Sequence, residues 1–408
     1  MKLLFLHPRG WSGEYVILKQ FRQLGLEICV LEEARDKRSA TRFLTADFLE
    51  SGDGIATLWY NPRRGLEKIL TWPVDRIFKA AFDGRNLAHR MWLIRAAVVH
   101  FQPDAVFCTD GFTYAIPAAF LRRLGLLNRP LLASYIGGDI LDCAEAEVGK
   151  RRTPMVSWLI RNSLPGIDAL RPLCRSLADI LRNEGADPQR IHTIPIHLTA
   201  PLADLEAIRD RREAIGSALR RRYAIPADAP LMVTLSGNQK GKGLHLLAQA
   251  WPEVLRAVPA ARWLLCGPDH PWLATAVRPL LQQQRVENTV CFSGMLTGQA
   301  VYEHLAAGDV HVNPTLCEGL NMVTVEAAAV GTPTITSNAA GIADWVERLQ
   351  AGAVIPAGDV SALARAVIVA LRSPELRLTW QKRARSMAPD FSLERIAAEL
   401  LALLPKSL

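Results

Sequence analysis

Short runs of apolar residues alternate with longer amphipathic stretches along the whole chain, and this alternation constrains the fold more than any other feature. Runs typical of β-strands include KLLFL near the N-terminus, DAVFCTD after residue 103 and LMVTLSG after residue 230. Segments with helical periodicity, such as 14–24, 113–125 and 242–257, separate these runs. Strands that alternate with helices form parallel sheets with helices on both faces. The sequence therefore predicts an α/β fold.

The alternation occurs in two series, and a chain of 408 residues is too long for one ordinary hydrophobic core. One series ends near residue 197 and the other begins at Leu231. Between them lies a charged, helical stretch that is closed by Pro226 and Pro230. We predict two Rossmann-like domains, at 1–205 and 206–385. A C-terminal helix at 386–408 is expected to pack back toward the N-terminal domain.

The net charge of +8 is concentrated in one segment. Residues 63–95 carry eight Lys or Arg against three acids, interleaved with Trp72, Phe78, Phe82 and Trp92. The rest of the chain is close to balanced, which argues against a nucleic-acid partner. Basic and aromatic residues in this mixture suit attachment to an anionic membrane surface. An equally weighted alternative is a set of core aromatics with arginines on a solvated face.

The cysteines and the longest apolar runs bear on the compartment. Seven cysteines are scattered without a CxxC pair, so we expect neither a disulfide framework nor a zinc site. The short apolar run at the N-terminus predicts a buried strand rather than a signal peptide. No run approaches the ~18 apolar residues that a membrane span needs. These features predict a cytoplasmic protein, either free or peripheral on the inner face of the plasma membrane.

The stretch NPTLCEGLNMVTVEAAAVGTPTITSNAAGI, at 313–342, contains two glutamates eight residues apart, Glu318 and Glu326. A helix that starts after Asn321 as its N-cap would leave the first amides as unpaired donors, which suits a bound anion. Glu326 would face that anion and could accept hydrogen bonds from a ribose diol. The alternative is an ordinary crossover helix with acids near its N-terminus. We favour the ligand site, because Gly331, Pro333 and Gly341 are expected to return loops to the same place.

Two further glycine-containing junctions follow predicted strands. The first, after Ser236, holds three glycines and two lysines before a helix, and Lys242 offers a point charge to a diphosphate. Taken alone, this junction is as well explained by a solvated turn. The second, HPRGWSGEY, has Gly10 and Gly13 at the start of the first helix but lacks both the GxGxxG and the Walker pattern. This argues against a nicotinamide-dependent oxidoreductase.

The C-terminal half resembles the retaining GT-B glycosyltransferases of family 4, also called glycosyl transferases group 1. Their E-x7-E motif is matched in order and spacing by Glu318, Gly319, Glu326, Ala327, Gly331, Pro333 and Gly341. The segment AGAVIPAGD, at 351–359, and the loop YIGGDIL, at 135–141, are similar to two other family segments. The resemblance implies a GT-B architecture, in which two Rossmann-like, doubly wound parallel-sheet domains face a cleft. The N-terminal domain would bind the acceptor and the C-terminal domain the nucleotide-sugar donor.

The resemblance also implies roles for individual residues. Catalysis is assigned to Glu318 and Lys242, and acceptor or cleft contacts to Ser12, Gly13 and Asp139. Donor binding is assigned to Gly237, Asn238, Lys242, Gly319, Leu320, Asn321, Met322, Val323 and Glu326. The reaction would be metal-independent and free of cofactors, with a UDP-sugar favoured over a GDP-sugar. The acceptor would be a saccharide or a polyprenyl- or lipid-linked glycan used in bacterial surface glycan or glycolipid synthesis.

Four features depart from the family pattern, and one of them is the segment IPIHL, at 194–198, which lacks the usual IPNG. Asn238 stands where an arginine is usual, Asn321 replaces the second glycine of the motif, and the loop with Asp139 lacks a histidine. These departures support the alternative of a non-catalytic GT-B subunit that binds nucleotide or sugar and supports a partner transferase.

Overall fold

The computed structural model describes residues 1–7, 12–33, 49–50, 56–60, 76, 87–151 and 153–404. Within these residues the chain forms two compact units. Unit 1 comprises Met1–Asp142, Gly149–Thr199 and Leu393–Leu408, and unit 2 comprises Cys143–Val148 and Ala200–Ser392. Each unit therefore includes a segment that is distant in sequence from its main part.

Unit 1 contains a seven-stranded sheet in the order β3-β4-β2-β1-β5-β6-β7. All its neighbouring strands are parallel except the edge pair β3 and β4. The strands are β1 (Lys2–His7), β2 (Glu27–Glu33), β3 (Leu49–Glu50), β4 (Ala56–Tyr60), β5 (Ala105–Cys108), β6 (Leu131–Tyr135) and β7 (Ala169–Pro172). The helices are α1 (Ser12–Gln23), α2 (Leu87–Phe101), α3 (Ala115–Arg123), α4 (Pro154–Ser163), α5 (Arg175–Asn183) and the C-terminal helix (Leu393–Leu401).

The C-terminal helix completes the core of unit 1. Its apolar face, which includes Ile396 and Leu400, packs into the cluster formed by Leu3, Phe5 and Phe21. Leu400 is 1% exposed, so its side chain is removed from water as completely as a strand residue. Burying an apolar side chain of this size contributes about 1.5–3 kcal/mol. The apolar residues of FSLERIAAELLALL recur with helical spacing, and the helix that they form faces the core.

Unit 2 contains a six-stranded sheet, entirely parallel, in the order β10-β9-β8-β11-β12-β13. The strands are β8 (Leu231–Leu235), β9 (Arg262–Cys266), β10 (Val290–Gly294), β11 (Val310–Asn313), β12 (Thr334–Ser337) and β13 (Gly352–Ile355). The helices are α6 (Leu202–Asp210), α7 (Arg212–Arg222), α8 (Leu244–Ala257), α9 (Arg278–Gln283), α10 (Gln299–Ala307), α11 (Met322–Ala329), α12 (Ala343–Leu349), α13 (Val360–Arg372) and α14 (Pro374–Ala384).

Two fully buried tryptophans anchor the core of unit 2. The rings of Trp251 on α8 and Trp263 on β9 lie 5.8 Å apart, centroid to centroid. Each indole N–H donates to a threonine hydroxyl at 2.8 Å, from Trp251 to Thr289 and from Trp263 to Thr234. A buried indole needs such a partner, because an unpaired N–H would cost the free energy of its lost hydration.

The predicted α/β fold with two parallel sheets is confirmed. Among the strands described, only the edge strand β3 pairs antiparallel. The basic aromatic segment at 63–95 lies outside the described residues apart from Arg76 and residues 87–95. Membrane attachment through it therefore stays a prediction. Among the helices described, none is long and apolar enough to cross a membrane.

The structure pairs Cys143 with Cys317 in a disulfide, although the cysteine spacing predicted no disulfide framework. The two residues are 174 positions apart in sequence, and their Cα atoms lie 6.4 Å apart. Only the fold brings them together, so no local pattern could indicate the pair. The other five cysteines, all in the described part of the chain, form no disulfide.

Replacing Leu400 by alanine should destabilise unit 1 by about 2–5 kcal/mol, because it leaves a cavity in the core that the C-terminal helix completes. Urea unfolding followed by far-UV circular dichroism measures this change. Arg395→Ala is the matched control, since Arg395 is exposed on the same helix and pairs with Glu399 at 2.8 Å. It should cost only about 0.3–0.5 kcal/mol. Equal losses in both variants would contradict a core role for the helix.

Candidate active site

Helix α11 begins at Met322, as predicted, but Asn321 does not cap it with its side chain. The backbone of Asn321 is left-handed, with φ of 75°, and its side chain makes no capping hydrogen bond. An N-cap residue needs an extended backbone to turn its side chain toward the first amides. Both amide atoms of Asn321 are instead buried and find no partner among the described residues. The predicted capping role is therefore wrong, and the predicted helix start is right.

The first amides of α11 remain available to a ligand. Thr324 N–H donates to the Asn321 carbonyl at 3.3 Å, whereas the N–H groups of Met322 and Val323 have no acceptor in the described part of the chain. Unpaired N–H groups and the helix dipole together favour an anion at this position.

Lys242 and Glu318 form an ion pair next to this helix start. The Lys242 ammonium contacts Oε1 of Glu318, and both side chains are mostly buried. The second carboxylate oxygen, Oε2, is buried and has no hydrogen-bond partner among the described residues. A buried carboxylate oxygen without a partner costs free energy, which a ligand hydroxyl or a water molecule would recover.

Close backbone contacts hold the lysine loop against the glutamate loop. The Gly241 carbonyl accepts from the Thr315 hydroxyl and from the Leu316 N–H, each at 2.8 Å. Gly243 has φ of 72°, and a Cβ there would lie 2.0 Å from the Pro314 carbonyl oxygen. Only glycine fits this approach. Sequence reasoning missed Thr315, whose only signal is its position just after a predicted strand.

The second motif glutamate, Glu326, lies one turn into α11 and is half-buried. Burial raises the pKa of its carboxyl group from 4.5 to about 7, because the charged form loses water there. The group therefore titrates close to neutral pH. A ligand that donates hydrogen bonds to the carboxylate would favour its ionised form.

Asn238 and Gly237 lie in the loop after β8, but the Asn238 side chain is used within the protein. It is fully buried, and its Nδ2 donates to the Pro268 carbonyl at 2.6 Å. Its Oδ1 accepts from the Ser236 hydroxyl at 3.1 Å. These contacts fix the loop with a left-handed backbone at Asn238, φ 60°. A donor contact through Asn238 stays a prediction.

The prediction that Gly331, Pro333 and Gly341 all return loops to the glutamate site is wrong in part. The loop around Gly341 does return to the glutamate loop, since Glu318 N–H donates to the Ala339 carbonyl at 3.2 Å and Ile342 N–H to the Leu320 carbonyl at 2.9 Å. Gly331 and Pro333 instead follow the C-terminal end of α11, before β12. A helix of this length spans about 12 Å, so these two residues lie at its opposite end.

The segment 143–148 of unit 2 packs against the same two loops. Cys143 is bonded to Cys317, the neighbour of Glu318 in sequence. A Cβ at Gly241 would lie 2.9 Å from the Val148 side chain and 3.1 Å from the Ala146 carbonyl oxygen. Lys240 is directed to this segment, with its ammonium 3.9 Å from Glu147. The segment therefore braces the lysine loop.

Unit 1 has a cavity of about 320 Å³ that is rich in titratable side chains. The cavity lining includes His7, Glu14, Thr109, Asp110, Asp139 and Lys150. His7 Nδ1 lies 3.1 Å from Glu14 Oε2. Burial raises the pKa of Glu14 to about 8, with Arg171 opposing the shift and Asp110 adding to it. Sequence reasoning missed His7 and Glu14. The position of His7 at the end of the first strand could have indicated that it lies at a ligand-binding edge of the sheet.

Of the predicted acceptor residues of unit 1, the structure describes the side chain of Asp139 but not those of Ser12 and Gly13. Ser12 and Gly13 lie in the first turn of α1, where the side chains are outside the described residues. Asp139 lines the cavity, but its carboxylate accepts from the N–H groups of Gly111, Ile136 and Gly137 at 2.7–3.1 Å. Burial nevertheless raises its pKa to about 6. Asp139 therefore holds the 136–139 loop in place.

Two family models match the chain. The model of the glycosyl transferases group 1 matches residues 230–373, and the model of the glycosyl transferase 4-like domain matches residues 17–197. The two matches cover most of unit 2 and most of unit 1, and both describe glycosyl transferases.

Relatives and solved structures agree with the family models. The putative colanic acid biosynthesis glycosyltransferase WcaL of Salmonella typhimurium is 25% identical over 348 residues, which is 83% of this chain and 79% of WcaL. Sucrose-phosphate synthase from Thermosynechococcus elongatus has a TM-score of 0.75 at 18% identity, covering 99% of this chain and 98% of that one. HepE of Anabaena, in complex with UDP and glucose, has a TM-score of 0.73 at 17% identity and covers 99% of both chains. At these identities the two structures are evidence for the fold alone.

Replacing Glu326 by glutamine should stabilise the protein at neutral and alkaline pH. Because the folded-state pKa of Glu326 is raised, the wild type loses stability as the pH rises above the unfolded value of 4.5, and the full loss is reached above about 7. The gain from Glu326→Gln should therefore reach up to about 3 kcal/mol at pH 8 and vanish near pH 5. Melting temperatures of both proteins between pH 5 and pH 8 measure it. A difference that does not change with pH would contradict the raised pKa.

Proposed function

The chain belongs to the glycosyl transferases group 1, and we propose that it transfers a sugar, with retention at the anomeric carbon, from a UDP-sugar to a saccharide or lipid-linked acceptor. The observation that carries this proposal is the grouping of Lys242, Glu318, Glu326 and the unpaired amides at the start of α11. The glycans involved would be those of the bacterial surface. The relative WcaL is a putative glycosyltransferase of colanic acid biosynthesis.

In this proposal the donor diphosphate binds at the start of α11. The N–H groups of Met322 and Val323 and the helix dipole would hold its oxygens. Lys242 would turn from Glu318 to the diphosphate, since an ammonium is a compact charge with three donors. The Glu326 carboxylate would accept hydrogen bonds from the ribose hydroxyls. The structural neighbour HepE was solved in complex with UDP and glucose. That complex motivates the preference for UDP in this proposal.

Catalysis would depend on stabilising the leaving nucleoside diphosphate. Negative charge develops on it as the bond to the sugar breaks, and fixed donors aimed at that charge lower the barrier. Glu318, through its unpaired Oε2, would bind a hydroxyl group of the donor sugar. A donor phosphate oxygen is the proposed acceptor of the proton from the attacking hydroxyl. The positive charge that a metal ion could supply is assigned to Lys242.

The acceptor is assigned to the cavity of unit 1. Its carboxyl groups, His7 and Lys150 provide both donors and acceptors for the hydroxyls of a saccharide. Attachment to an anionic membrane surface through 63–95, and a cytoplasmic location, remain part of the proposal. The alternative of a non-catalytic subunit is not favoured, because both motif glutamates and Lys242 are in place at one helix start.

UDP should raise the melting temperature of the wild-type protein by roughly 5–10 °C at a hundred times its dissociation constant. ADP and GDP should give smaller shifts. Glu326→Ala should lose most of the UDP shift, because the ribose loses its acceptor. Differential scanning fluorimetry with the three nucleotides makes the comparison. Equal shifts in wild type and Glu326→Ala would contradict the role of Glu326, and the absence of any shift would contradict donor binding.

Lys242→Met should weaken UDP binding by about tenfold to a hundredfold, because a charge-assisted hydrogen bond is worth about 1.5–3 kcal/mol. Lys240→Met is the matched control: Lys240 lies two residues away in the same loop but contacts Glu147 and the Trp272 ring. It should change UDP affinity less than about threefold. Calorimetric titration measures the affinities. Proton NMR of the product formed with a UDP-sugar reports the anomeric configuration, and an inverted product would rule out retention.

A further inference from the structure

Unit 2 has a second cavity, of about 310 Å³, at the end of the sheet where its strands begin. Arg212, Asp309, Pro333, Arg377 and Gln381 line it. Asp309 directly precedes β11, and Pro333 directly precedes β12. The donor loops follow the other ends of these strands. The cavity is therefore distinct from the site built on the start of α11.

The two arginines of the cavity are held rigidly by backbone carbonyls. Arg212 donates to the carbonyls of Gly331 and Gly308. Arg377 donates through Nη1 to the carbonyls of Ala370, at 2.7 Å, and Leu371, at 2.9 Å. Their guanidinium planes are thus preorganised. Preorganised guanidinium groups lose little side-chain entropy when they bind a ligand.

Positive charge exceeds negative charge around the cavity. Asp309 faces Arg220 at 3.3 Å and Arg377 at 3.7 Å, and its Oδ2 also accepts from the Leu231 N–H at 2.7 Å. Burial lowers the pKa of Arg212, Asp309 opposes this shift, and the charges of Arg220, Arg377 and Arg385 add to it. Arg212, Arg220 and Arg377 therefore share the carboxylate of Asp309.

Other charged groups near the cavity do not cancel this excess. Glu213 is exposed, although it contributes to the lining. Arg209, next to Gly331, is already matched by Glu206 at 3.6 Å and Asp210 at 3.3 Å. In a concave site of low dielectric constant, an uncompensated positive charge attracts an anion much more strongly than it would in water.

We propose that this cavity binds a phosphate-bearing small molecule, either inorganic phosphate or a phosphomonoester of sugar size. Arginine presents paired donors that match the oxygens of phosphate, and a doubly charged anion best balances the excess of guanidinium groups. The apolar wall of Pro333, Pro374 and the exposed Leu378 leaves room for a carbon skeleton beside the phosphate. The Arg212 contact with the Gly331 carbonyl places the ligand at the C-terminal end of α11, whose first turn forms the donor site.

Calorimetric titration of the full chain tests the proposal, with saturating UDP so that the donor site is filled. Inorganic phosphate and glucose 6-phosphate are the two probes, and glucose is the uncharged reference. One equivalent of phosphate or of glucose 6-phosphate should bind, and glucose should not. Tighter binding of glucose 6-phosphate would identify a phosphomonoester as the ligand, whereas equal affinity would identify the phosphate group alone.

Gln381→Glu places a carboxylate among the arginines and should weaken the binding of both anions by at least about tenfold, since like charges repel there. Without ligand, the same variant should melt at a higher temperature than wild type, which shows that it is folded. Glu213→Gln removes the acid at the rim and should tighten binding by about twofold to fivefold. Gln282→Glu, exposed on α9, repeats the charge change elsewhere in unit 2 and should leave the affinity unchanged.

Three results would overturn the proposal. The first is the absence of binding by either anion. The second is an equal affinity in wild type and Gln381→Glu, which would place the anion outside the cavity. The third is phosphate binding that appears only when UDP is omitted, which would assign the anion to the start of α11. None of these results would contradict the proposed transferase activity, because the donor-site measurements are made without either probe.

Discussion

Parallel pairing of β11 with β8 and β12 places the ends of three strands at one edge of the sheet of unit 2. The loops that follow these strands must then meet, and they do so through the carbonyls of Gly241, Leu320 and Ala339. This contact brings Lys242 to Glu318 across 76 residues of sequence. Without the shared strand direction, the lysine, the glutamates and the first turn of α11 would have no reason to form one site.

The site contains several buried polar groups that lower the stability of the folded protein. Oε2 of Glu318 and both amide atoms of Asn321 are buried without partners in the described structure, and burial disfavours the charge on Glu326. Each such group costs about 1–3 kcal/mol. A protein selected only for stability would replace them with apolar side chains. Their presence next to unpaired helix amides is the reason for proposing a binding site here rather than an ordinary crossover connection.

Residue patterns were sufficient for the two parallel sheets, the start of α11 and the glutamate pair, because strand alternation, helix periodicity and motif spacing are local. Residue patterns were insufficient where contacts between distant segments determine the structure. The Cys143–Cys317 bond, the His7–Glu14 contact and the use of Asn238 to hold the Pro268 loop all join residues that are well separated or depend on side-chain direction. Asn321 shows the limit most clearly: its position beside the helix was predictable, but its left-handed backbone was not.

Unit 2 is not a continuous piece of chain, because residues 143–148 belong to it while their neighbours on both sides belong to unit 1. A fragment spanning 200–392 would therefore lack the segment that braces Gly241, and Cys317 would become a free thiol beside Glu318. Its nucleotide affinity would understate that of the whole protein. Conversely, a protease that cuts the intact chain anywhere between Cys143 and Cys317 would leave two polypeptides joined through sulfur, visible as separate bands only after reduction.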